Sequence, residues 1–387
     1  MSQITQYYDV RGRQFTNKVE ALRYASTLPN CKLWDVKFHY HHNVWTNYKQ
    51  PLGLTPLKEL YRQRAQQIRD SYDYLVLYFS GGADSTNILY TFLENNIPLE
   101  EVVVKWPKRV IGSSLYTPNT VDQTARNFVS EWDLVIEREL DHLRINYPKI
   151  KITILDYVED IPNNYYNEDT FLLQNHMHSA VNLLRMQTFT DVEHDPRGKR
   201  VCAITGLDKP MLAEMNGRAY MFFSDDIVAL STKTPESYRE DFYWTPDFPQ
   251  LAYEMAYNVY LYFKHTPNVQ GFFPKLIWSY ENDQIRHDGF QYYFRLIKPV
   301  IYGDTWDMRK FQADKPFQGF KADKDFWFYE SGEFDHVIDQ WRYHYDSQLS
   351  AVDSKFCIVD KTGTKTGYQT IISPLYEIGP FNRLQQI

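Results

Sequence analysis

Cysteine is scarce in this sequence. Cys31, Cys202 and Cys357 are the three in 387 residues, and they lie far apart without a C-x-x-C pair. This pattern argues against a disulfide framework, a structural zinc site and an iron–sulfur cluster, and it fits a reducing compartment. The sequence also lacks a basic and apolar leader at its start, and it has no apolar run long enough to cross a membrane. We therefore expect a soluble, cytoplasmic protein without a membrane partner.

An excess of positive charge is lacking as well. The net charge is −7 and the isoelectric point is near 5.9, so the chain has no overall positive field for a nucleic-acid backbone. A nucleic-acid partner is therefore disfavoured, although a local basic patch stays compatible with these totals. Aromatic side chains, in contrast, are abundant: they make up 17% of the residues, with 31 Tyr and 24 Phe. Together with a hydrophobic content of 43%, they predict a large folded core.

Short apolar runs and helical patterns alternate in the middle of the chain. Strands are predicted at 74–79, 101–106, 149–155 and 201–205, with 219–223 as the candidate fifth. Helices are predicted between them, over 84–95, 121–146 and 168–190. This alternation is typical of an α/β fold, here a parallel five-stranded sheet with helices on both faces. Ligands of such sheets bind at the carboxyl ends of the strands, near the point where the strand order reverses.

The first of these strands runs directly into a glycine loop, S-G-G-A-D-S at 80–85. Its glycines let backbone N–H groups approach an anion, and the helix that follows adds its positive end. The hydroxyls of Ser80, Ser85 and Thr86 can donate to phosphate oxygens, whereas Asp84 suits a phosphate only with a cation between them. The loop therefore predicts a phosphate site that uses Mg²⁺, and the alternative is a plain strand-to-helix turn capped by Ser80. Its spacing fits neither the Walker nor the Rossmann glycine pattern.

The glycine loop resembles the PP-loop, S-G-G-x-D-S, of the ATP pyrophosphatase superfamily, and the resemblance covers roughly residues 70 to 230. Members of this superfamily split ATP into AMP and pyrophosphate and adenylate a carbonyl or carboxylate oxygen. The resemblance implies a fold of the HUP type and an ATP site in which Asp84 binds Mg²⁺. It also implies that the end of the second strand, Lys105 and Trp106, passes the adenine, with a core position as the alternative for Trp106. The β,γ-diphosphate would lie on Ser80, Gly81, Gly82 and Ser85, with Thr86 beside them.

A second glycine loop, T-G-L-D-K-P at 205–210, follows the fourth predicted strand. It is similar to the T-G-x-x-x-D loop that faces the PP-loop in the superfamily, although asparagine synthetases carry an acidic pair where this chain has Asp208 and Lys209. The resemblance places Gly206 at the nucleotide. Lys209 would offset the negative charge that develops on the leaving pyrophosphate, and Asp208 would share the Mg²⁺ with Asp84. The alternative is a plain helix start with Asp208 as its cap.

Two further polar segments follow the second loop. Asp225 and Asp226 are candidates for a second metal site or for orienting an amine, with solvated turn acids as the alternative. Tyr243 and Trp244 lie in D-F-Y-W-T-P-D, which more weakly resembles a Y-W-[ST]-P-D element of asparagine-synthetase-like PP-loop proteins. A core position for these aromatic side chains is the alternative.

These patterns divide the chain into three regions. Residues 1–70 are predicted to form an N-terminal mixed α/β extension, and 71–231 a PP-loop nucleotide-binding domain. Residues 232–387 are predicted to form a mostly helical, aromatic-rich region, because the alternation of strands and helices stops near S-T-K-T-P-E at 231–236.

The leading hypothesis is an adenylating C–N ligase that resembles the synthetase domain of asparagine-synthetase-like proteins. ATP with Mg²⁺ would activate a small-molecule acceptor, and ammonia or an amine would then displace AMP. Sulfur transfer is disfavoured because the sequence has no paired cysteines. Asparagine synthetases begin with a catalytic cysteine where this chain has Ser2, so the nitrogen would come from free ammonia, an amine or a partner glutaminase. The alternatives are a tRNA- or nucleobase-modifying PP-loop enzyme and a nucleotide-binding module without turnover.

Overall fold

The first part of the chain forms a small antiparallel sheet followed by helices. A computed structural model describes residues 6–107, 132–156, 158, 190–194, 197–206, 209–225, 238–276, 290–303 and 332–381. The elements at its start are β1 (Gln6–Val10), β2 (Arg13–Phe15), α1 (Lys18–Thr27), β3 (Val36–Tyr40), α2 (His42–Asn47) and α3 (Leu57–Ser71). The strands pair in the order β2–β1–β3. Asn17 caps α1, because its side-chain oxygen accepts hydrogen bonds from the N–H groups of Val19 and Glu20.

The middle of the chain contains the central sheet. Its elements are β4 (Tyr74–Tyr78), α4 (Ala83–Glu94), β5 (Glu101–Lys105), α5 (Glu137–Asn146), β6 (Lys151–Leu155), α6 (Asp191–His194), β7 (Val201–Thr205), β8 (Met211–Met215), β9 (Arg218–Phe222) and β10 (Tyr238–Asp241). Strands β4, β5, β6, β7 and β10 form one sheet, and all neighbours in it are parallel. The structure therefore confirms the α/β class and the parallel five-stranded sheet.

Two of the predicted helices extend outside the described residues. The helix predicted over 121–146 is described from Trp132 onwards, where a π-helical segment, Trp132–Ile136, continues into α5. The helix predicted over 168–190 lies outside the described residues except for Thr190, which is not helical.

The last part of the chain combines long helices with short strands. Its elements are α7 (Pro249–His265), α8 (Phe290–Tyr302), α9 (Asp335–Ser350), β11 (Cys357–Val359), β12 (Lys365–Tyr368) and β13 (Tyr376–Pro380). Short 3₁₀ segments lie at Leu33–Asp35, Pro267–Phe272 and Ser354–Phe356. Strand β11 pairs with β12, and β13 pairs with β9. No helix among the described residues is both long and apolar enough to span a membrane.

The prediction that 219–223 forms the fifth strand of the central sheet was wrong. These residues form most of β9, which lies between β8 and β13 in a separate antiparallel sheet. The fifth position of the central sheet belongs to β10, whose Asp241 is in register with Thr205 of β7. An apolar run predicts a buried strand but carries no information about the partner strand. The sequence therefore did not show which strands belong to which of the two sheets.

The order of the strands reverses within the central sheet. From one side to the other the order is β10–β7–β4–β5–β6. The chain moves outwards from β4 through β5 to β6 and then returns to the other side of β4 with β7. The strand order therefore reverses between β4 and β7, and ligands of such sheets bind outside the carboxyl ends of the strands at this point. The loops that follow these two strands are the two glycine loops predicted from the sequence.

Both faces of the central sheet are covered. Leu75 and Leu77 of β4 point into the main core with α3 and α4. Val76 points to the opposite face, where it packs with Val103, Val201 and Val192 of α6. This alternation of buried residues fits strands that are apolar on both sides.

Candidate nucleotide site

The loop after β4 is the centre of the candidate site. Gly81 adopts a φ of +71°, a left-handed conformation that glycine reaches without steric cost. A Cβ atom there would lie 2.8 Å from Cγ1 of Ile136, so a side chain would also clash. Gly82 then precedes α4, whose first N–H groups have no acceptor within the helix. The loop therefore presents backbone donors and the positive end of a helix at the strand reversal.

The hydroxyls predicted to bind phosphate differ in their contacts. Ser80 is exposed, and its hydroxyl lies 3.3 Å from that of Ser85. The Ser85 hydroxyl donates to the Gly82 carbonyl at 3.2 Å and accepts from the Ser80 N–H at 3.2 Å. Thr86 is fully buried, and its hydroxyl donates to the same carbonyl at 2.8 Å. Ser85 and Thr86 therefore stabilise the shape of the loop from inside. Ser80 lies at its surface, where its hydroxyl accepts from the Gly82 N–H at 3.4 Å.

Asp84 pairs with a lysine from the second loop. Lys209 Nζ lies 2.8 Å from Oδ1 of Asp84, although 125 positions separate the two residues in the chain. Lys209 is buried, whereas the Asp84 side chain keeps 33% of its surface exposed. Burial raises the pKa of Asp84, but Lys209, Tyr302 and Lys298 outweigh burial and hold that pKa below its usual value. The point of strand reversal therefore carries an ionised carboxylate with an accessible surface.

Gly206 allows the two loops to approach each other closely. A Cβ atom on Gly206 would lie 3.2 Å from the backbone nitrogen of Ser85 and 3.3 Å from the carbonyl carbon of Asp84. Both atoms belong to the first turn of α4, so they cannot move aside as a flexible side chain could. The glycine predicted to contact the nucleotide thus has a packing role, since it brings the second loop onto the start of α4.

Two tyrosines complete the surroundings of Asp84. The Tyr243 hydroxyl donates to the Asp84 carbonyl at 2.7 Å and accepts from Nδ2 of Asn87 at 3.0 Å. The Tyr302 hydroxyl, at the end of α8, donates to Oδ1 of Asp84. Burial first and the charge of Asp84 second raise the pKa of Tyr302, so its phenol stays protonated and can donate.

The sequence singled out Tyr243 but not Tyr302. Tyr243 belongs to the Y-W-[ST]-P-D-like segment, and the structure brings it to the loop. Tyr302 lies 218 positions from Asp84 and is one of 31 tyrosines, without a motif around it. No local signal in the sequence distinguishes it from the others.

Two predicted aromatic contacts belong to the core instead. Trp244 is 1% exposed, and its ring stacks on that of Phe223 with the centroids 4.1 Å apart. Trp106 is buried as well, and its ring lies 5.5 Å from that of Trp132. The burial of both tryptophans therefore agrees with the alternative interpretation, in which they are core residues.

Lys105 ends β5 on the other face of the sheet. Its Nζ lies 3.8 Å from the centroid of the Tyr78 ring, and the Tyr78 hydroxyl donates to Glu193 at 2.8 Å. Tyr78 packs with the apolar cluster that Val192 of α6 covers, whereas α4 packs on the opposite face. The structure therefore places Lys105 at the carboxyl edge of the sheet but across the sheet from Asp84.

The remaining acidic candidates separate into two groups. Asp225 is buried, and its Oδ2 lies 2.7 Å from Nζ of Lys18, so it is neither a solvated turn acid nor an open ligand. Asp208 and Asp226 lie outside the described residues. Among the residues that the structure describes, no three His, Cys, Asp or Glu side chains come together as a metal site.

The described residues fit Mg²⁺ only when the ion is already bound to phosphate. Asp84 is a single carboxylate, and a bare ion usually needs more protein ligands. Mg²⁺ that arrives with a nucleotide takes most of its ligands from water and phosphates and needs one or two carboxylates from the protein. The donor set of the loop therefore suits a magnesium ion that is already bound to phosphate.

Comparisons with known proteins add no assignment to this geometry. No family model, no curated protein and no solved structure matches the chain.

Proposed function

We propose that this chain is an ATP-dependent adenylating enzyme that forms a C–N bond. It binds ATP with Mg²⁺, transfers AMP to a carbonyl or carboxylate oxygen of a small-molecule acceptor and releases pyrophosphate. Ammonia or an amine then attacks the activated carbon, and AMP leaves. The observation that carries this proposal is the contact of 2.8 Å between Lys209 and Asp84 at the strand reversal, beside a loop of backbone donors.

Each part of the proposed site has a defined task. The N–H groups at the start of α4 and the Ser80 hydroxyl bind the β,γ-diphosphate. Asp84 holds the magnesium ion, which when bound offsets the negative charge of the phosphates. Lys209 takes the place of the lysine that Walker loops carry after their glycines and that this loop lacks. Its ammonium group stabilises the charge that develops on pyrophosphate as the α,β-bridging bond breaks.

The products of ATP turnover test this reaction class. We expect the protein, incubated with Mg²⁺, ATP and a pool of cell metabolites, to release AMP and pyrophosphate in equal amounts. A carboxylate acceptor labelled with ¹⁸O should transfer one labelled oxygen to AMP, because the acceptor oxygen stays on the phosphorus when nitrogen displaces the nucleotide. The appearance of ADP and phosphate instead would rule out adenylation, and binding of ATP without any turnover would favour a nucleotide-binding module.

Replacing Lys209 by alanine is expected to slow pyrophosphate release by about 100-fold, the usual cost of removing a group that stabilises transition-state charge. The affinity for ATP should fall much less, because the backbone donors of the loop remain. Steady-state rates and calorimetric titration with ATP and Mg²⁺ measure the two effects separately. Lys199→Ala is the matched control, since Lys199 is exposed and precedes β7 at the opposite edge of the sheet. Equal rates for the two variants would contradict the role of Lys209.

A further inference from the structure

The end of α8 lies against the proposed nucleotide site. Helix α8 contacts both α3 and α4, and it ends at Tyr302, which is buried. We infer that α8 supplies a positioning residue to this site: Tyr302 orients the Asp84 carboxylate for the magnesium ion that accompanies the nucleotide. This inference rests on the proposed function and assigns a role in it to a helix of the C-terminal region.

The first argument is the distribution of donors on Asp84. The Tyr302 hydroxyl and Lys209 Nζ both donate to Oδ1 of this carboxylate. An ionised carboxylate offers about four acceptor positions on its two oxygens. Both hydrogen bonds fall on Oδ1, so the two donors use the positions of that oxygen. The pair therefore fixes the rotation of the side chain and leaves Oδ2 as the oxygen that can bind a metal.

The second argument is that α8 itself is held in place. The Tyr61 hydroxyl of α3 donates to the Ile301 carbonyl at 2.5 Å, one residue before Tyr302. The Tyr243 ring lies 5.9 Å from the Tyr302 ring, and its hydroxyl fixes the backbone of Asp84. A donor anchored in this way stays in position when its acceptor binds a ligand, which is what a positioning residue requires.

The third argument is the charge on the same side of α8. Lys298 lies four positions before Tyr302, and residues four apart share one side of a helix. Its positive charge acts on Asp84 together with that of Lys209. The side of α8 that faces the loop thus carries a hydrogen-bond donor and a cation, which suits an anionic ligand with its metal ion.

The test compares two tyrosine-to-phenylalanine variants of the full chain. Tyr302→Phe removes the donor to Asp84, whereas Tyr253→Phe removes a buried tyrosine donor elsewhere, the hydrogen bond of 2.5 Å to the Trp45 carbonyl. Pyrophosphate release from ATP is measured over a range of Mg²⁺ concentrations, and ATP binding is measured by calorimetry. For Tyr302→Phe we expect kcat to fall about tenfold and the Mg²⁺ concentration at half-maximal rate to rise, with the KM for ATP within about twofold of the wild type. Tyr253→Phe should lower the unfolding temperature but leave the Mg²⁺ dependence unchanged, because the Tyr253 hydroxyl donates to α2 and not to α8.

The outcomes separate this inference from the proposed function. If the wild type neither binds ATP nor releases pyrophosphate, the proposed function fails and the role of Tyr302 fails with it. If the wild type is active and Tyr302→Phe keeps the wild-type Mg²⁺ dependence, only the inference about α8 is overturned. The same result for Tyr302→Phe and Tyr253→Phe would also overturn it, because Tyr302 would then be merely structural.

Discussion

Replacing Asp84 by asparagine is expected to lower the rate of pyrophosphate release from ATP by about 1,000-fold. Asparagine has nearly the same volume and keeps an oxygen that can accept from Tyr302, but it has no charge with which to bind magnesium. Losing the metal removes several kcal/mol of transition-state stabilisation, and about 1.4 kcal/mol corresponds to a tenfold change in rate. The rate at saturating ATP, measured over a range of Mg²⁺ concentrations, tests this expectation.

Asp73→Asn is the matched control for this variant. Asp73 is an exposed carboxylate just before β4, at the opposite end of the strand, where it pairs with Arg200. Its replacement should leave the rate within about twofold of the wild type, since exposed ion pairs contribute little. Thermal unfolding of both variants checks that the chain stays folded. An Asp84→Asn protein that keeps the wild-type rate and the wild-type Mg²⁺ dependence would show that Asp84 is not the metal ligand.

The loop and the sheet could be predicted because their signals are local. The strand 74–79 and the glycines at 81 and 82 are adjacent in the chain, and alternating strands and helices predict a parallel sheet without any knowledge of partners. The start of α4 needs a glycine in the left-handed region at Gly81, which is a local requirement too. These features therefore agree between sequence and structure.

The rest of the site depends on pairing over long distances, which the sequence does not encode locally. Strand β10 is short and polar in sequence, Y-R-E-D, and its place in the sheet comes from its pairing with β7, in which Asp241 lies opposite Thr205. Tyr302 reaches Asp84 from α8, and the helical periodicity of a segment does not predict which part of the protein the helix packs against. The choice between a site position and a core position for Trp244 depended on whether its ring is buried. The ring is buried because it stacks on that of Phe223. In each case a contact with a residue far away in the chain decides where the element or side chain lies.

Asp225 shows the same limit and leads to a second large expected effect. Asp225 and Lys18 form an ion pair of 2.7 Å in which each side chain is 1% exposed. Asp225 also accepts from the Tyr8 hydroxyl at 3.2 Å and from the Ile371 N–H at 2.9 Å. The carboxylate thus joins β1, α1 and the segment before β13, so that the two ends of the chain depend on one buried charge.

Lys18→Met is expected to lower the free energy of unfolding by about 3–5 kcal/mol, because it leaves the buried carboxylate of Asp225 without its cation. The double variant Lys18→Met/Asp225→Asn should recover most of this loss, since the amide is neutral and its oxygen can still accept from the Ile371 N–H. Equilibrium denaturation in urea compares the variants, with Arg144→Met as the control. Arg144 pairs with Asp141 at 2.6 Å with both side chains at least half exposed, so its loss should cost less than about 1 kcal/mol. If Lys18→Met were no more destabilising than Arg144→Met, the buried pair would not hold the two ends of the chain together. If the double variant were as unstable as the single one, the loss would come from packing and not from the unpaired charge.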